Sequence, residues 1–495
     1  MVNLSLADDD GESAVDRISG LHDALLLHIL SFLVVDDVVK TSLLSKRWKN
    51  LWASATALNL DVCTTKRTSP HYFIADVNAY LMLHEGQQIR KFRARLVYRK
   101  MQHVYMDAWF LFLKRRGVEE IDLDYLYSWP PLGITDQCER CLICNSMFDC
   151  KKLKVLSLAS CNVDPAACFR FKLLKNLKLK DVNISNLDLS CCPLLECLTL
   201  ISCNERGTLD INAPNPKFRS LQLTDSRKAW DAKLVLYAPH VLFVELCHSL
   251  RLQYHIGELS HIKKASFCIE TFEVARGGDQ LHKLIGIMKN FRHAQTFVLS
   301  NPCIKAFAHS TTENLDIAFL NVVALEVDTD LRQLDVWVMM HVLSFFPHVD
   351  FLIFNVCLKC NYISGPFYGE TFAERKVAWK CLEKLLVSTA SGIKNIRINN
   401  FLWDKRHCYL FGHYFNISDL VDIKKLVSNE KLEPLELWLR CCSILKVMDI
   451  KIAKTIYFRN SMLKSDLLLH LNNTLQCLPK ASTIAQISVS YKILE

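Results

Sequence analysis

The chain has 495 residues, with 60 Lys+Arg against 51 Asp+Glu for a formal charge of +9. That length exceeds an ordinary single domain, so several domains or an extended repeat array is expected, and so mild a charge excess permits a nucleic-acid partner without indicating one. Glycine is scarce at 14 residues, no phosphate-cradling loop signature occurs, and Gly277 and Gly278 stand alone.

The 21 cysteines are odd in number and scattered, and the opening MVNLSLADDDGE is acidic where a secretory signal would be basic and then apolar. A reducing intracellular compartment follows, nuclear and/or cytoplasmic, with mostly free thiols. The densest apolar run, LLLHILSFLVV at 25–35, is about half of what spans a bilayer, and the stretch around Trp337 is broken by His341 and Pro347. No membrane span is predicted.

Residues 1–13 read as a disordered leader. Leu26, Ile29, Leu30 and Leu33 then fall at i, i+3, i+4 and i+7, which predicts a helix over about 23–32 with Asp23 as N-cap or first-turn acid. Asp36 and Asp37 precede Val38, Val39, Leu43 and Leu44 in a second helical pattern. Ser45 can cap a third helix that carries Trp48, Leu51 and Trp52 on one face, with Lys46, Arg47 and Lys49 projecting away from it into solvent.

The stretch RKFRARLVYRK at 90–100 alternates, which predicts a half-buried strand with Phe92, Ala94, Leu96 and Tyr98 on one face and Arg93, Arg95 and Val97 on a solvated basic face. The other reading, shared with KRR at 114–116, is a basic rim for an acidic target or for phosphates.

A repeat dominates the middle of the chain. LKVLSL at Leu153, LKNLKL at Leu174 and LECLTL at Leu195 are spaced 21 residues apart, and the phase continues with FRSLQL at Phe218, VLFVEL at Val241 and IKKASF at Ile262. Looser copies are VEEIDL at Val118, VVALEV at Val322, VDFLIF at Val349 and IKNIRI at Ile393. This period and leucine spacing is that of leucine-rich repeats, in which a short strand joins a parallel sheet and the return segment packs behind it. The predicted fold is therefore mixed α/β: a small three-helix module, then a curved solenoid with the sheet on its concave face. Lys154, Ser157, Asn176, Lys178, Glu196 and Thr199 would be distributed over that face or its rims, and such surfaces bind rather than catalyse. The chain closes with a helix at EPLELWLRCC and strands at LKVMDI and AQISVS.

Cys138, Cys141, Cys144 and Cys150 form C-x2-C-x2-C-x5-C, a spacing that suggests zinc or an iron-sulfur cluster. The repeat register favours packing instead. Cys150, Cys192 and Cys442 each lie three residues before a strand-leading leucine, and Cys161 and Cys203 three residues after a last strand leucine, as small buried hydrophobes would. The four cysteines remain weak metal candidates, and the vicinal pairs Cys191–Cys192 and Cys441–Cys442 are read as packing rather than redox groups. Histidines are dispersed without HExxH or nucleophile-elbow patterns, His341 and His348 read as satisfied core or rim residues, and neither catalysis nor a cofactor is expected.

LHDALLLHILSFLVVDDVVKTSLLSKRWKNLW, residues 21–52, resembles without gaps the F-box of the large plant family of F-box proteins with leucine-rich repeats. The family's form runs leucine-proline-acid, then HILSFL, then an SxLSKRW ending. Here His22 and Val34 replace the two usual prolines, so helix entry and the first turn lose a fixed φ. DAWFLFLKRRGVEEIDLDY and LICNSMFDCKKLKVLSL resemble the segments that lead into the family's repeats, and EPLELWLRCCSILKVMDI with CLPKASTIAQISVS resembles the closing FBD domain. The implied organisation is an F-box at 14–60, repeats at 61–390 and an FBD-like cap at 391–495. The resemblance implies a non-catalytic substrate receptor of an SCF-type cullin-RING ubiquitin ligase. Its F-box docks on a Skp-type adaptor, and through it a cullin, while the repeats hold an unknown protein target. Leu21, Leu26, Ile29, Leu30, Leu33, Leu44 and Trp48 would form or support the docking surface. The alternative is a repeat scaffold that binds nucleic acid or proteins outside a ligase.

Overall fold

The computed structural model describes residues 18, 20–63, 70–97, 103–126, 140–143, 145–163, 171–184, 186–203, 208–224, 233–248, 253–269, 277–308, 318–329, 339, 342–356, 390–401, 415–417, 429–452, 456–458 and 461–491. The leader at 1–13, Tyr98, Cys138, Cys144, Trp337 and His341 lie outside them. The chain divides into two compact units, Met1–Ile184 with Cys191–Leu195, and Ser185–Ser190 with Glu196–Glu495.

The first unit opens with three helices, α1 (Asp23–Leu30), α2 (Val35–Lys40) and α3 (Trp48–Leu51), with single 3-10 turns at Thr41–Leu43 and Trp52–Ser54. Asp23 is a first-turn acid, since the N-cap residue is His22. The predicted Ser45 cap does not form. α3 begins only at Trp48 with Arg47 as its N-cap residue, the Ser45 hydroxyl is buried without a hydrogen-bond partner, and the Ser45 carbonyl accepts the Lys49 amide at 3.2 Å. There follow β1 (Ala57–Asp61), α4 (Pro70–Leu83), β2 (Lys91–Val97), α5 (His103–Arg115), β3 (Glu120–Leu126), β4 (Cys141–Leu142), α6 (Asn145–Phe148), β5 (Val155–Ala159), β6 (Cys161–Asn162) and β7 (Asn176–Lys180). The parallel sheet runs β1-β2-β3-β5-β7, and β4 pairs with β6 beside it. α5 stops at Gly117, whose φ of 67° needs a residue without Cβ, and the Val118 amide reaches back to the Leu113 carbonyl at 3.2 Å. On β2, Phe92, Ala94 and Leu96 are buried as the alternation requires. Val97, expected on the basic face, is buried too, because the strand ends there and the alternation ends with it.

Among the described residues the second unit contains two main parallel sheets and one two-stranded parallel pair. The larger one is built of β9 (Cys197–Ile201), β11 (Ser220–Thr224), β13 (Phe243–His248), β15 (Lys264–Ile269), β16 (Thr296–Leu299), β17 (Ala324–Thr329), β18 (Phe351–Val356), β19 (Asn395–Phe401), β21 (Val447–Ile452) and β23 (Gln486–Tyr491), paired in that order. The return segments supply β8 (Asn186–Asp188), β10 (Thr208–Asn212), β12 (Lys233–Tyr237) and β14 (Gln253–Ile256), which make a second, four-stranded sheet. Later returns are helical, as α7 (Gly277–Met288), α8 (Asn301–Ala308), α9 (Asn429–Cys441) and α10 (Ser461–Gln476), and β20 (Phe415–Ile417) pairs with β22 (Ile456–Phe458). Strands β21 and β23 of the closing zone continue the same sheet in register with β19.

One hydrogen-bonded turn recurs ahead of the strands. The strand-leading residue donates to the carbonyl three residues earlier, as in Leu153 to Cys150 at 3.1 Å, Leu195 to Cys192 at 3.1 Å, Val241 to Ala238 at 3.2 Å and Leu445 to Cys442 at 3.4 Å. In these four the accepting residue is a small buried Cys or Ala, whereas ahead of Phe218 it is the buried Asn215 and ahead of Ile262 it is Leu259. After the strands, Ser160, Asp181 and Ser202 take left-handed φ values of 57°, 54° and 51°, which turns Cys161, Val182 and Cys203 back into the core. Each fully buried leucine of the array stabilises by about 1.5–3 kcal/mol, and its truncation to alanine costs about 2–5 kcal/mol.

In the first unit the helical module is tied to α4 and the residues just after it by backbone and ring contacts. The Glu85 amide donates to the Ala53 carbonyl at 2.9 Å, Tyr80 donates to the Trp52 carbonyl at 3.3 Å, and the rings of Trp52 and Tyr80 lie 5.3 Å apart. Buried His84 holds the Ala55 carbonyl through Nε2 at 2.9 Å, while its Nδ1 has no hydrogen-bond partner. Burial, and then the nearby Arg116 guanidinium, depress its pKa, against the raising effect of the Ala55 contact. A depressed folded-state value means that His84 contributes stability above the unfolded pKa of about 6.5, which is lost as pH falls through it towards the folded value. The urea midpoint of the first unit should therefore drop between pH 7.5 and 5.5 more steeply in the native chain than in His84→Gln, and parallel pH profiles would contradict this.

Candidate functional site

The three N-terminal helices bury Leu26, Leu30, Val38 and Trp48 against one another. Of the predicted docking residues, these helices therefore hold Leu26, Leu30 and Trp48 inside as supports. Leu21 and Leu33 are half-buried, and Ile29 and Leu44 face solvent. Three outward side chains were missed by the sequence reading: Leu25, Phe32 at 73% exposure and Leu43 at 85%. Leu25 and Ile29 stand at i and i+4 on α1, a second apolar stripe beside Leu26 and Leu30 that Phe32 continues in the turn after the helix, so the helix is apolar on two faces. That doubling in LLLHILSF was the legible signal. Together with Leu43 and Leu44, Leu25, Ile29 and Phe32 make an exposed apolar group on a small module, of the kind found at interaction sites, ligand grooves and aggregation-prone surfaces.

His22 and Val34 enter α1 and α2 with φ of −63° and −73°, close to the value that proline would impose. The entry geometry is kept without the ring. Lys46 and Lys49 are solvated, whereas Arg47 is not merely so. Its Nε donates to Asp23 Oδ1 at 3.0 Å, and its guanidinium also reaches the Leu21 carbonyl, closing the third helix onto the start of the first. Half-exposed pairs of this type contribute up to about 1 kcal/mol.

The basic face of β2 is neutralised by its neighbours. Lys91 pairs with Glu120 at 3.2 Å, Arg93 with Asp122 at 3.1 Å, and Arg95 with Asp124 at 3.0 Å and Asp61 at 3.4 Å. Of the KRR triplet, Lys114 pairs with Asp149 at 2.8 Å, and Arg116 serves backbone carbonyls and lies over the Phe112 ring at 5.1 Å. These cations hold the fold together rather than forming an open anion rim.

Cys141 and Cys150 are buried, the Cys141 thiol 3.9 Å from the Met106 sulfur, and burial pushes the Cys150 thiol up to about 11. Among the described residues no group of three or more His, Cys, Asp or Glu could hold a metal. Cys161, Cys192, Cys203 and Cys442 are likewise buried, and burial raises Cys442 strongly, which keeps the thiol protonated. Cys441 is buried and Cys191 exposed. His348 is an exposed rim residue whose Nδ1 lies 2.8 Å from the Leu320 carbonyl.

The outward face of the larger sheet in the second unit carries polar side chains linked from strand to strand. Thr199 donates to Gln222 at 3.5 Å and Gln222 to Glu245 at 3.2 Å. Lys264 reaches past β16 to Glu326 at 2.7 Å, Asn355 donates to Glu326 at 2.7 Å and Asp328 at 3.2 Å, and Arg397 pairs with Asp449 at 3.3 Å. Such a face offers charge and hydrogen-bond recognition.

The F-box domain model matches residues 18–56, and the model described as FBD-associated F-box protein At5g56370, LRR repeats, matches residues 106–267. Residues 18–56 are thus similar to F-box domains, and residues 106–267 to the leucine-rich repeats of FBD-associated F-box proteins. It is 32% identical over 216 residues to F-box/FBD/LRR-repeat protein At1g13570 of Arabidopsis thaliana, covering 41% of this chain and 48% of that one. The similar stretch thus spans about half the length of that relative. Putative F-box/LRR-repeat protein At3g18150 of the same plant is 23% identical over 441 residues, covering 83% of this chain and 90% of the relative. A solved chain of the TLR13–ssRNA13 complex aligns at a TM-score of 0.30 and 11% identity, over 86% of this chain and 66% of that one, too distant to bear on the fold.

The cysteine placement gives a direct test. Iodoacetamide at neutral pH should alkylate the exposed Cys63, Cys191 and Cys477, while buried Cys150, Cys161, Cys192 and Cys442 react only in denaturant. Peptide mapping that finds Cys442 among the early sites would contradict the packing described.

Proposed function

We propose that this chain is the substrate-receptor subunit of an SCF-type cullin-RING ubiquitin ligase, docking a Skp-type adaptor through its F-box, and through it a cullin, and holding a protein target on its repeats. The observation that carries the reading is the solvent-facing apolar group of Leu25, Ile29, Phe32, Leu43 and Leu44 on a module matched by the F-box model. Leu26, Leu30 and Trp48 brace it from within. The chain's own contribution to transfer is tethering, which raises the effective concentration of the target near the conjugating enzyme, and no residue here takes part in the chemistry. The organisation proposed with it is an F-box at 14–60, repeats at 61–390 and an FBD-like cap at 391–495, acting in the nucleus and/or cytoplasm. Among the described residues no helix is long and apolar enough to cross a membrane.

Co-purification with a Skp-type adaptor tests the reading. Ile29→Asp combined with Leu44→Asp should weaken capture at least about 30-fold, the effect of losing two anchoring contacts of an interface, while leaving the fold intact. Leu30→Asp, which places a charge in the core, should unfold the module instead. Failure of the native chain to capture any adaptor, or undiminished capture by the double variant, would remove the ligase reading.

A further inference from the structure

Ahead of each strand of the larger sheet in the second unit, the chain crosses the same edge, and successive crossings stack in register. The Leu242 amide donates to the Arg219 carbonyl at 2.9 Å, Lys263 to Leu242 at 2.8 Å, and Gln295 to Lys263 at 2.9 Å. Neighbouring strands are about 4.8 Å apart, so the crossings before β11, β13, β15 and β16 span roughly 15 Å. Their segments, 213–219, 238–242, 257–263 and 289–295, contain five Lys or Arg and three His against a single carboxylate, Glu258. Lys217, Arg219, His261, Lys263 and Arg292 are exposed, and His240 stacks on His261 with ring centres 5.6 Å apart.

The pairing separates this edge from the basic stretches of the first unit. On β2 each cation meets an acid of a neighbouring strand. Among the described residues, Lys217, Arg219, Lys263 and Arg292 meet no carboxylate, and the Arg219 guanidinium is instead laid along the edge by donating to the His240 carbonyl at 3.3 Å. All four crossing segments are described throughout. A row of cations that meets no carboxylate among the described residues, held on hydrogen-bonded turns, is arranged to attract an anion from outside the chain.

We propose that this edge holds an anionic segment, acidic or phosphorylated, of the protein bound by the repeats, an assignment that rests on the repeats being the target-binding part of the chain. A peptide suits the surroundings better than a nucleic acid. The adjoining face carries Glu245, Glu326 and Asp328, which would repel a polyanion spreading beyond the edge, and Phe243, 44% exposed at the start of β13, offers apolar contact to a peptide side chain.

Fluorescence anisotropy on the full chain tests this with three labelled decapeptides of one neutral sequence, bearing two phosphoserines, two glutamates or two serines. The anionic peptides should bind at least about tenfold more tightly than the serine peptide, and weaken as salt rises from about 50 to 300 mM. Preference for phosphoserine would identify the anion as phosphate, equal binding as any carboxylate-like charge, and either supports the proposal. Arg219→Glu with Lys263→Glu should cost at least about tenfold in affinity, with Arg219→Gln and Lys263→Gln as the milder pair should the first misfold, whereas Lys446→Glu at the turn before β21 should cost nothing. Equal binding of the three peptides, or unchanged affinity in both double variants, would overturn the proposal. So would a single-stranded RNA dodecamer that binds more tightly than the peptides and is lost in the same variants. Adaptor capture by those variants should stay at the native level. Its absence in the native chain alongside intact peptide binding would sink the ligase reading and leave the anionic edge standing.

Discussion

Burial of the repeat's apolar face against its neighbours is the interaction on which the rest depends. A strand such as β5 presents Leu156 and Leu158 to one side and cannot cover them itself, so the chain must return and lay the next copy alongside. Parallel pairing follows, because every strand is entered from the same edge after a return segment, and the sheets in both units are parallel throughout. The recurring turn is a consequence of the same need. Its carbonyl acceptor belongs to a residue that must fill space beneath the strand-leading side chain, and Cys150, Cys192, Ala238 and Cys442 do this with different volumes. Cysteine serves there as a small apolar group.

The same constraint decides which residues are free for recognition. Positions facing inward on each strand are committed to packing, and the outward positions and the edge crossings are left to vary in charge and size. In the first unit those outward positions are largely used internally, since the β2 cations and their acidic neighbours on β1 and β3 close on each other. In the second unit the strand faces form hydrogen-bonded chains, and among the described residues Lys217, Arg219, Lys263 and Arg292 of the crossings before β11 to β16 meet no carboxylate.

Much of this was legible in the sequence, and the misses have separate physical causes. The six-residue template located the leading leucines from Leu153 to Leu195 and their successors, because apolar spacing is fixed by strand pleat and burial. β16 escaped it, since its leading position is Ala294, too small to register as an apolar anchor although it is fully buried. The Ser45 cap failed because the third helix starts later, at Trp48, and local capping chemistry yielded to the tertiary contact that Arg47 makes with Asp23. The β2 alternation was read correctly up to Leu96, but the partners of its arginines come from Asp61, Asp122 and Asp124, and cross-strand register is not visible in one strand. In the F-box, spacing identified the inner stripe of Leu26 and Leu30. It could not rank exposure on a helix apolar on two faces, so Leu25 was passed over, and it carried no exposure signal for Phe32 and Leu43, which lie in turns.

The two surfaces proposed for partners differ in the physics they offer. The F-box presents Leu25, Ile29, Phe32, Leu43 and Leu44, an apolar group whose burial is insensitive to salt and demands shape more than charge. The crossing edge presents exposed cations on rigid turns, where attraction is longer in range, weakens with ionic strength and discriminates by the placement of negative charge. An apolar docking site suits a constant partner that must stay bound, and a charged edge suits partners to be sorted and released. That proposed division follows from one chain using inward positions for its own cohesion, which leaves the outward residues of the N-terminal helices and turns, and the outward strand positions and crossings of the repeats, for others.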